Sequence, residues 1–205
     1  MNGEKRSKRT ANAGERAATI REQPVTYDDY ANMPDDGKRY EIADGVLESM
    51  SPGPTPKHQV ISYFMQNVLT NGCQNDYIVI ASPVDLILSP TEVRQPDIVM
   101  INRSRIGIIT RRGIEGIPDL VVEILSPHSV KRDRFDKRDV YSAYRIPEYW
   151  IADPGNEALE QYVLSDGSYE LLNVYERDEA VRSERLPCVS FTMGQILDAA
   201  ADLPG

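Results

Sequence analysis

The sequence predicts one α/β or α+β domain, in which a mixed central sheet is flanked by helices and followed by an antiparallel meander. Helix-like and strand-like segments alternate along the chain from residue 25 onwards. The strand-like runs are short, rich in Val and Ile, and separated by Pro, Ser or Gly. The length of 205 residues, with no repeat or linker after residue 24, fits a single domain over residues 25–205.

The order of elements follows from local patterns. Thr26 suits the N-cap of a first helix, the Asp44–Gly45 pair is typical of a hairpin turn, and apolar residues recur at helical spacing after Pro54. The predicted elements are a helix at 26–33, a hairpin at 40–50, a helix at 55–70, strands at 77–88, 97–101 and 119–125, a helix ending near residue 144, strands at 148–153, 158–164, 169–175 and 180–190, and a helix at 194–200.

Composition excludes some classes of protein. No apolar run is long enough to span a bilayer, so no membrane association is expected. The net charge of −9 argues against a protein that coats nucleic acid by bulk electrostatics. Residues 1–24 are basic and lack the apolar stretch of a secretory signal, so we expect a disordered tail. The two cysteines, far apart in sequence, predict a reducing cytoplasm and no disulfide framework.

Glu123 is the first candidate functional residue, because it interrupts an apolar run. Burying an unpaired charge costs several kcal/mol, on the order of the stability of a domain. Glu123 therefore needs a cation or a proton, or else it faces solvent on a half-exposed strand. Val121 and Leu125 share its face of the strand and are apolar, which disfavours the solvent-facing alternative.

Asp97 begins a second apolar run. If the two runs are antiparallel neighbours in the sheet, the start of one lies beside the end of the other, and Asp97 and Glu123 become adjacent. Two adjacent carboxylates repel unless a cation lies between them. Oxygen ligands favour Mg²⁺, with Mn²⁺ as a substitute, and the lack of clustered Cys or His disfavours zinc.

The basic segment 131–138 supplies a third component. Asp133, Lys137 and Tyr141 recur every four residues and so share one face of the predicted helix. One interpretation is an ordinary surface ion pair, worth a few tenths of a kcal/mol. The functional interpretation directs Lys137 at the metal site, where it would hold an attacking water and offset phosphate charge.

An ordered series of segments resembles a known family. The series comprises Tyr40-Glu41-Ile42-Ala43-Asp44-Gly45, Ser51-Pro52, Pro56-Lys57-His58-Gln59, Gln95-Pro96-Asp97, Gly116 to Pro127, then Asp133, Lys137 and Tyr141, Glu148-Tyr149-Trp150 and Asp153-Pro154. Over roughly residues 25–175 it is similar to the Uma family of putative restriction endonucleases, a branch of the PD-(D/E)XK nuclease superfamily. The resemblance implies a restriction-endonuclease-like core and Mg²⁺-dependent hydrolysis of phosphodiester bonds.

The resemblance also implies roles for single residues. Asp97 matches the Pro-Asp aspartate, Glu123 the acid of the (D/E)-x-K motif, and Glu41 an additional acid from the N-terminal element. Asp97, Glu123 and the backbone carbonyl of Ile124 would then bind the ion. The chain departs from the motif at Leu125, where the lysine is expected, and Lys137 on the following helix is the candidate replacement.

Substrate contacts are predicted for a few further residues. His58 either contacts substrate or is an ordinary polar residue at a helix N-terminus, and Gln59 follows it in the same motif. Arg103, Arg105, Arg111 and Arg112 either form a phosphate-binding rim or lie in a solvated loop.

The leading functional hypothesis is a DNA endonuclease, with DNA as partner and a homodimer allowed. One alternative is a DNA-binding or regulatory domain that keeps the nuclease fold but is catalytically inactive. The missing motif lysine and the acidic composition favour this alternative. The other alternative is a homo-oligomeric interaction protein stabilised by a metal ion.

Overall fold

A computed structural model describes residues 23–50 and 52–204. The helices and strands follow in this order: α1 (Tyr27–Ala31), β1 (Tyr40–Ala43), β2 (Val46–Ser49), α2 (Pro56–Cys73), β3 (Tyr77–Ala81), β4 (Leu86–Ser89), β5 (Glu92–Arg94), β6 (Ile98–Asn102), a 3₁₀ segment (Arg103–Ile108), β7 (Ile114–Glu115), β8 (Leu120–Ile124), a π-helical turn (Arg132–Lys137), α3 (Arg138–Ala143), β9 (Glu148–Asp153), β10 (Ala158–Ser165), β11 (Ser168–Tyr175), α4 (Met193–Leu197) and a final 3₁₀ turn (Asp198–Ala200).

Two sheets form the framework of the fold. The larger sheet has the order β11-β10-β9-β8-β6-β3, and it is mixed because β8 and β9 are parallel while its other neighbours are antiparallel. The smaller sheet has the order β2-β1-β5-β4-β7. The mixed sheet flanked by helices and the antiparallel β9–β11 meander confirm the predicted fold class, whereas the second sheet was not predicted.

Both faces of the larger sheet are covered. Ile61, Met65 and Leu69 of α2 pack on one face, together with residues of α4. Tyr141 of α3 packs on the other face, together with Tyr149 and with Leu86 and Ile114 of the smaller sheet. The central strand β8 is therefore buried at all five positions, which explains its continuous apolar sequence apart from Glu123.

Several predicted elements have the expected caps and turns. Thr26 forms a capping box with Asp29, and the Thr55 side chain accepts a hydrogen bond from the backbone N–H of His58 at the start of α2. Asp44 and Gly45 both have positive φ, as the two-residue turn between β1 and β2 requires.

Other predicted elements were wrong. The run 77–88 is two strands in different sheets, since the chain leaves the larger sheet after β3 and enters the smaller one at β4. The predicted strand at 180–190 is reduced to an isolated bridge between Val181 and Phe191.

The predicted disordered tail lies outside the described residues except for Gln23 and Pro24, so it stays a prediction.

The two cysteines are joined, contrary to the sequence prediction. Cys73 at the end of α2 forms a disulfide with Cys188, across 115 residues of sequence. The bond connects α2 to the segment before α4, and both of these pack on the same face of the larger sheet. Sequence spacing could not reveal this pair because the contact depends on the fold. Among the described residues, no helix combines the length and apolarity needed to cross a bilayer.

We expect reduction of this disulfide to destabilise the fold. Closing a loop of roughly one hundred residues is worth about 4.7 kcal/mol in the chain-entropy model. Dithiothreitol should therefore lower the melting temperature of the wild type by roughly 10 °C or more and leave that of a Cys73→Ser/Cys188→Ser variant unchanged. Intact mass after alkylation without reductant gives the independent readout, and two alkylated thiols in the native protein would contradict the bond.

Candidate active site

The candidate site lies where the chain crosses from the smaller sheet to the larger one. Gln95-Pro96-Asp97 connects β5 to β6, and Asp97 stands directly before β6. The pairing of Ile98 with Val122 makes β6 and β8 antiparallel neighbours, which meets the condition set from the sequence and brings Asp97 beside Glu123. Oδ2 of Asp97 accepts a hydrogen bond of 2.8 Å from the backbone N–H of Ile124.

Glu123 is buried and forms an ion pair with Lys137. Its side chain is 3% exposed, so the solvent-facing alternative is wrong. Oε1 accepts hydrogen bonds of 2.8 Å from Nζ of Lys137 and 2.8 Å from the hydroxyl of Tyr141. Both donors come from the helical segment after β8, which packs on the face of the sheet that Glu123 shares with Val121.

Lys137 is the centre of a buried acidic cluster. Its ammonium also lies 3.3 Å from Oε1 of Glu41 and 3.9 Å from Oδ1 of Asp133, and its side chain is 1% exposed. Asp133 and Lys137 belong to a π-helical turn rather than to the regular helix that the sequence predicted. The turn nevertheless places Asp133, Lys137 and Tyr141 on the buried side, as their spacing suggested.

Glu41 reaches this cluster from the smaller sheet. Its Oε1 accepts a hydrogen bond of 2.8 Å from the backbone N–H of Gln95, and its Oε2 lies 3.6 Å from the guanidinium of Arg94. Arg94 is divided between two acids, because its Nε also donates to Glu92 at 2.5 Å. The N-terminal acid is therefore held by the same connection that carries Asp97.

The electrostatics of the cluster follow from one ammonium serving three carboxylates. Burial lowers the pKa of Lys137, but the charges of Glu123, Glu41 and Asp133 outweigh it and raise that pKa above its ordinary value. Burial raises the pKa of Glu123 to about 8, and the nearby charges of Asp133 and Asp97 add to the effect while Lys137 opposes it. Burial also raises the pKa of Asp133, again against the attraction of Lys137.

His58 closes the other side of the site. Its Nε2 lies 3.1 Å from Oδ2 of Asp97 and 3.1 Å from the carbonyl oxygen of Ile124. Burial lowers the pKa of His58, but the hydrogen bond and charge of Asp97 outweigh it, so the pKa is raised. For Asp97 the two effects act in the opposite directions. Burial raises its pKa, but the hydrogen bond and charge of His58 outweigh burial and hold the pKa below its ordinary value. The ring nitrogen thus stands between two of the three groups expected to bind metal.

These side chains border one cavity of about 250 Å³. Of the predicted site residues, it is lined by His58, Gln59, Asp97, Glu123, Ile124 and Lys137. Glu41 lies behind Lys137, where it contacts the ammonium but is not among the lining residues. Among residues 23–50 and 52–204, no three His, Cys, Asp or Glu side chains are grouped as in a preformed metal site.

The predicted arginine rim lies elsewhere. Arg111 and Arg112 line a separate, open depression with Val84 and Asp85. Arg112 is paired with Asp28 at 2.7 Å and stacks on the ring of Tyr27.

Arg103 and Arg105 are likewise engaged away from the cavity. Arg103 donates to the carbonyl of Gln74, and Arg105 pairs with Asp119 at 2.5 Å. Arg103, Arg105 and Arg112 therefore brace loops in the structure, whereas Arg111 is exposed and lines only the separate depression.

Sequence reasoning assigned no site role to four residues around the cluster. Arg39 and Arg132 line the cavity, Asp133 both lines it and contacts Lys137, and Arg94 supports Glu41. Asp133 had a usable signal, since it shares the helical face of Lys137. The signal for Arg94 was weaker. It lies two residues after Glu92 and so shares one face of a short strand with that acid, which indicates an ion pair but not a contact with Glu41.

Removal of the central ammonium should destabilise the fold. Lys137→Met leaves Glu41, Glu123 and Asp133 buried without their common cation, at a cost of about 3–5 kcal/mol. Adding Glu123→Gln should recover part of this loss, because one buried charge is then removed. Urea unfolding monitored by circular dichroism measures both variants, with the exposed Lys131→Met as control. Equal stability of Lys137→Met and the control would show that the cluster contributes nothing.

Comparison with known proteins gives the family. The chain matches the model of the Uma2 family, described as putative restriction endonuclease, over residues 27–194. It is also similar to the crystal structure of a putative nuclease belonging to DUF820 from Anabaena variabilis ATCC 29413, with a TM-score of 0.70 and 19% sequence identity, covering 86% of this chain and 99% of the other. No curated protein matches the chain. The family match spans most of the sequence and includes every residue of the buried cluster, so this chain belongs to the Uma2 family of putative restriction endonucleases.

Proposed function

We propose that this chain is a Mg²⁺-dependent endonuclease that hydrolyses DNA phosphodiester bonds, with Mn²⁺ able to replace Mg²⁺. One observation carries the proposal. Asp97, the Ile124 carbonyl, Glu123 and Lys137 come from three separate segments and meet at one cavity, in a chain of a family described as putative restriction endonucleases.

The donor groups fit a hard divalent cation. Two oxygens, Oδ2 of Asp97 and the carbonyl oxygen of Ile124, already converge on a single point, where each lies 3.1 Å from Nε2 of His58. Glu123 lines the same cavity, and only its Oε1 is engaged by Lys137 and Tyr141. We therefore assign Asp97, Glu123 and the Ile124 carbonyl as ion ligands. When bound, the ion would supply a water of lowered pKa and polarise the scissile phosphate.

The chain's own groups would prepare this chemistry. Lys137 and Tyr141 hold Oε1 of Glu123 from behind, which fixes the direction of the carboxylate toward the cavity. The ammonium of Lys137 also offsets negative charge next to the attacking water and the phosphate. Glu41 keeps that ammonium in place. Nε2 of His58 lies between Oδ2 of Asp97 and the carbonyl oxygen of Ile124, where it can supply a proton. The imidazole ring would have to leave this position for an ion to bind the same two oxygens.

The location and the assembly of the protein remain predictions. A disulfide between Cys73 and Cys188 is unusual in a reducing compartment and weighs against the predicted cytoplasmic location. A homodimer stays a prediction from the sequence.

Cleavage should depend on the ion and on both carboxylates. Purified protein is incubated with supercoiled, linear and branched DNA in Mg²⁺, in Mn²⁺ or in chelator. We expect cleavage with either metal and none with chelator, and Asp97→Ala or Glu123→Ala should lower the rate at least about a hundredfold, on the order of what removal of one essential electrostatic group costs.

The control for this assay is Asp139→Asn, an exposed acid of α3 that should cleave at the wild-type rate. Lys137→Ala, tested at a temperature where it is folded, should also be inactive. Cleavage that survives this change would move the role of the lysine to another residue. Binding of DNA without cleavage by the wild type would favour the inactive nuclease-fold domain instead.

Ion binding should be visible without any DNA. A ligand that binds only the folded protein stabilises it by about 2.7 kcal/mol at a hundred times its dissociation constant. Mn²⁺ should therefore raise the melting temperature of the wild type and not that of Glu123→Ala or Asp97→Ala, with Asp139→Asn again as control. An equal rise in all four proteins would place the ion elsewhere.

A further inference from the structure

A phosphodiester that enters the cavity meets a strongly acidic floor. Asp97, Glu123 and Asp133 line the cavity and Glu41 lies just behind it. Lys137 is shared by three of these four carboxylates and is almost fully buried. A bound anion would add to this negative charge, so a further cation that faces the cavity would stabilise the bound phosphodiester. This inference rests on the proposed function.

Most basic side chains near the cavity are already committed to protein partners. Arg39 lines the cavity, but its Nε and Nη2 donate to Gln95, and Nη2 also donates to Ser82. Arg94 is held by Glu92 and Glu41 in the buried cluster.

The neighbours of Lys137 along the chain are committed as well. Arg134 pairs with Asp153 and Glu160 on the far side of the helical segment. Arg138 lies over the rings of Phe135 and Tyr162. Neither guanidinium lines the cavity.

Arg132 differs from all of these. It lines the cavity together with His58 and Glu123, and its side chain is 36% exposed. Its Nε lies 3.6 Å from Oδ1 of Asp133, and both atoms are buried without a hydrogen-bond partner. In the described part of the chain the only carboxylate within 4.0 Å of the guanidinium is that of Asp133, at Nε, so the terminal nitrogens of this cavity-lining residue have no ion-pair partner.

We propose that Arg132 binds a phosphate group of the DNA beside the ion-binding carboxylates. A guanidinium presents two parallel N–H donors that match two oxygens of a phosphate, and a lysine cannot reproduce this geometry. Asp133 sets the orientation of Arg132, so the π-helical turn supplies both the ammonium that steadies Glu123 and the clamp for the substrate. Because the chain has a net charge of −9, its surface as a whole does not attract DNA, and binding must depend on local contacts such as this one.

The test compares Arg132→Gln with Arg138→Gln, a variant of equal charge change on the same helical segment. Binding of a short fluorescent DNA duplex is measured by anisotropy in Ca²⁺, to suppress cleavage, over a range of salt concentrations. Arg132→Gln should weaken DNA binding about tenfold and reduce the slope of log K against log salt concentration by about 1, as expected for the loss of one phosphate contact. Arg138→Gln should match the wild type in both quantities. Arg132→Lys should recover only part of the affinity.

Two further measurements separate a phosphate contact from a structural effect. Mn²⁺ affinity of Arg132→Gln should equal that of the wild type, and circular dichroism should show the same fold. Replacing one phosphate at a time by neutral methylphosphonate should reveal a position that weakens binding to the wild type but not to Arg132→Gln.

The outcomes distinguish this inference from the proposed function. If the wild type cleaves or binds DNA and Arg132→Gln behaves like Arg138→Gln, the Arg132 assignment is wrong while the nuclease proposal stands. Loss of Mn²⁺ affinity in Arg132→Gln would equally overturn it, because the arginine would then act through the carboxylates. If the wild type neither binds nor cleaves DNA, both proposals fail together.

Discussion

The ammonium of Lys137 is the interaction on which this fold and its site both depend. It lies within 4 Å of carboxylates from β1, from β8 and from its own helical turn, so one charge ties together the smaller sheet, the larger sheet and the helical layer. An unpaired carboxylate at any of these positions would cost several kcal/mol. Asp97 lines the same cavity without a contact to this ammonium within 4.0 Å, and this excess of carboxylates is the reason why we propose a divalent cation there.

The connection Gln95-Pro96-Asp97 explains how two sheets build one site. At this point the chain leaves β5 of the smaller sheet and enters β6 of the larger one. The backbone N–H of Gln95 holds Glu41, and Asp97 receives the backbone N–H of Ile124. This connection thus contacts one acid, Glu41, and carries the other, Asp97, although the two are 56 residues apart in sequence.

Sequence patterns predicted the parts of the site that depend on local periodicity. The pairing of Asp97 with Glu123 required only two apolar strands and an antiparallel register, and Lys137 required only helical spacing after β8. Three other features depend on long-range geometry. The crossing between sheets at Ser82, the Cys73–Cys188 bond and the commitment of Arg112 to Asp28 each join segments whose proximity no local pattern records. The π-helical turn was missed because no residue type distinguishes it from an α-helix.

Our proposal that Lys137 takes the place of the motif lysine has a physical consequence for how the site would work. A lysine at position 125 would share the strand, and therefore the face, of Glu123, and it would approach along the sheet. Leu125 instead packs in the apolar core, and the ammonium arrives from the helical layer above the sheet. From there it binds Oε1 of Glu123 directly and reaches Glu41 and Asp133 as well. The lysine of this chain is consequently a structural counter-ion first, and any contribution to hydrolysis must be made from a position that the acidic cluster has already fixed.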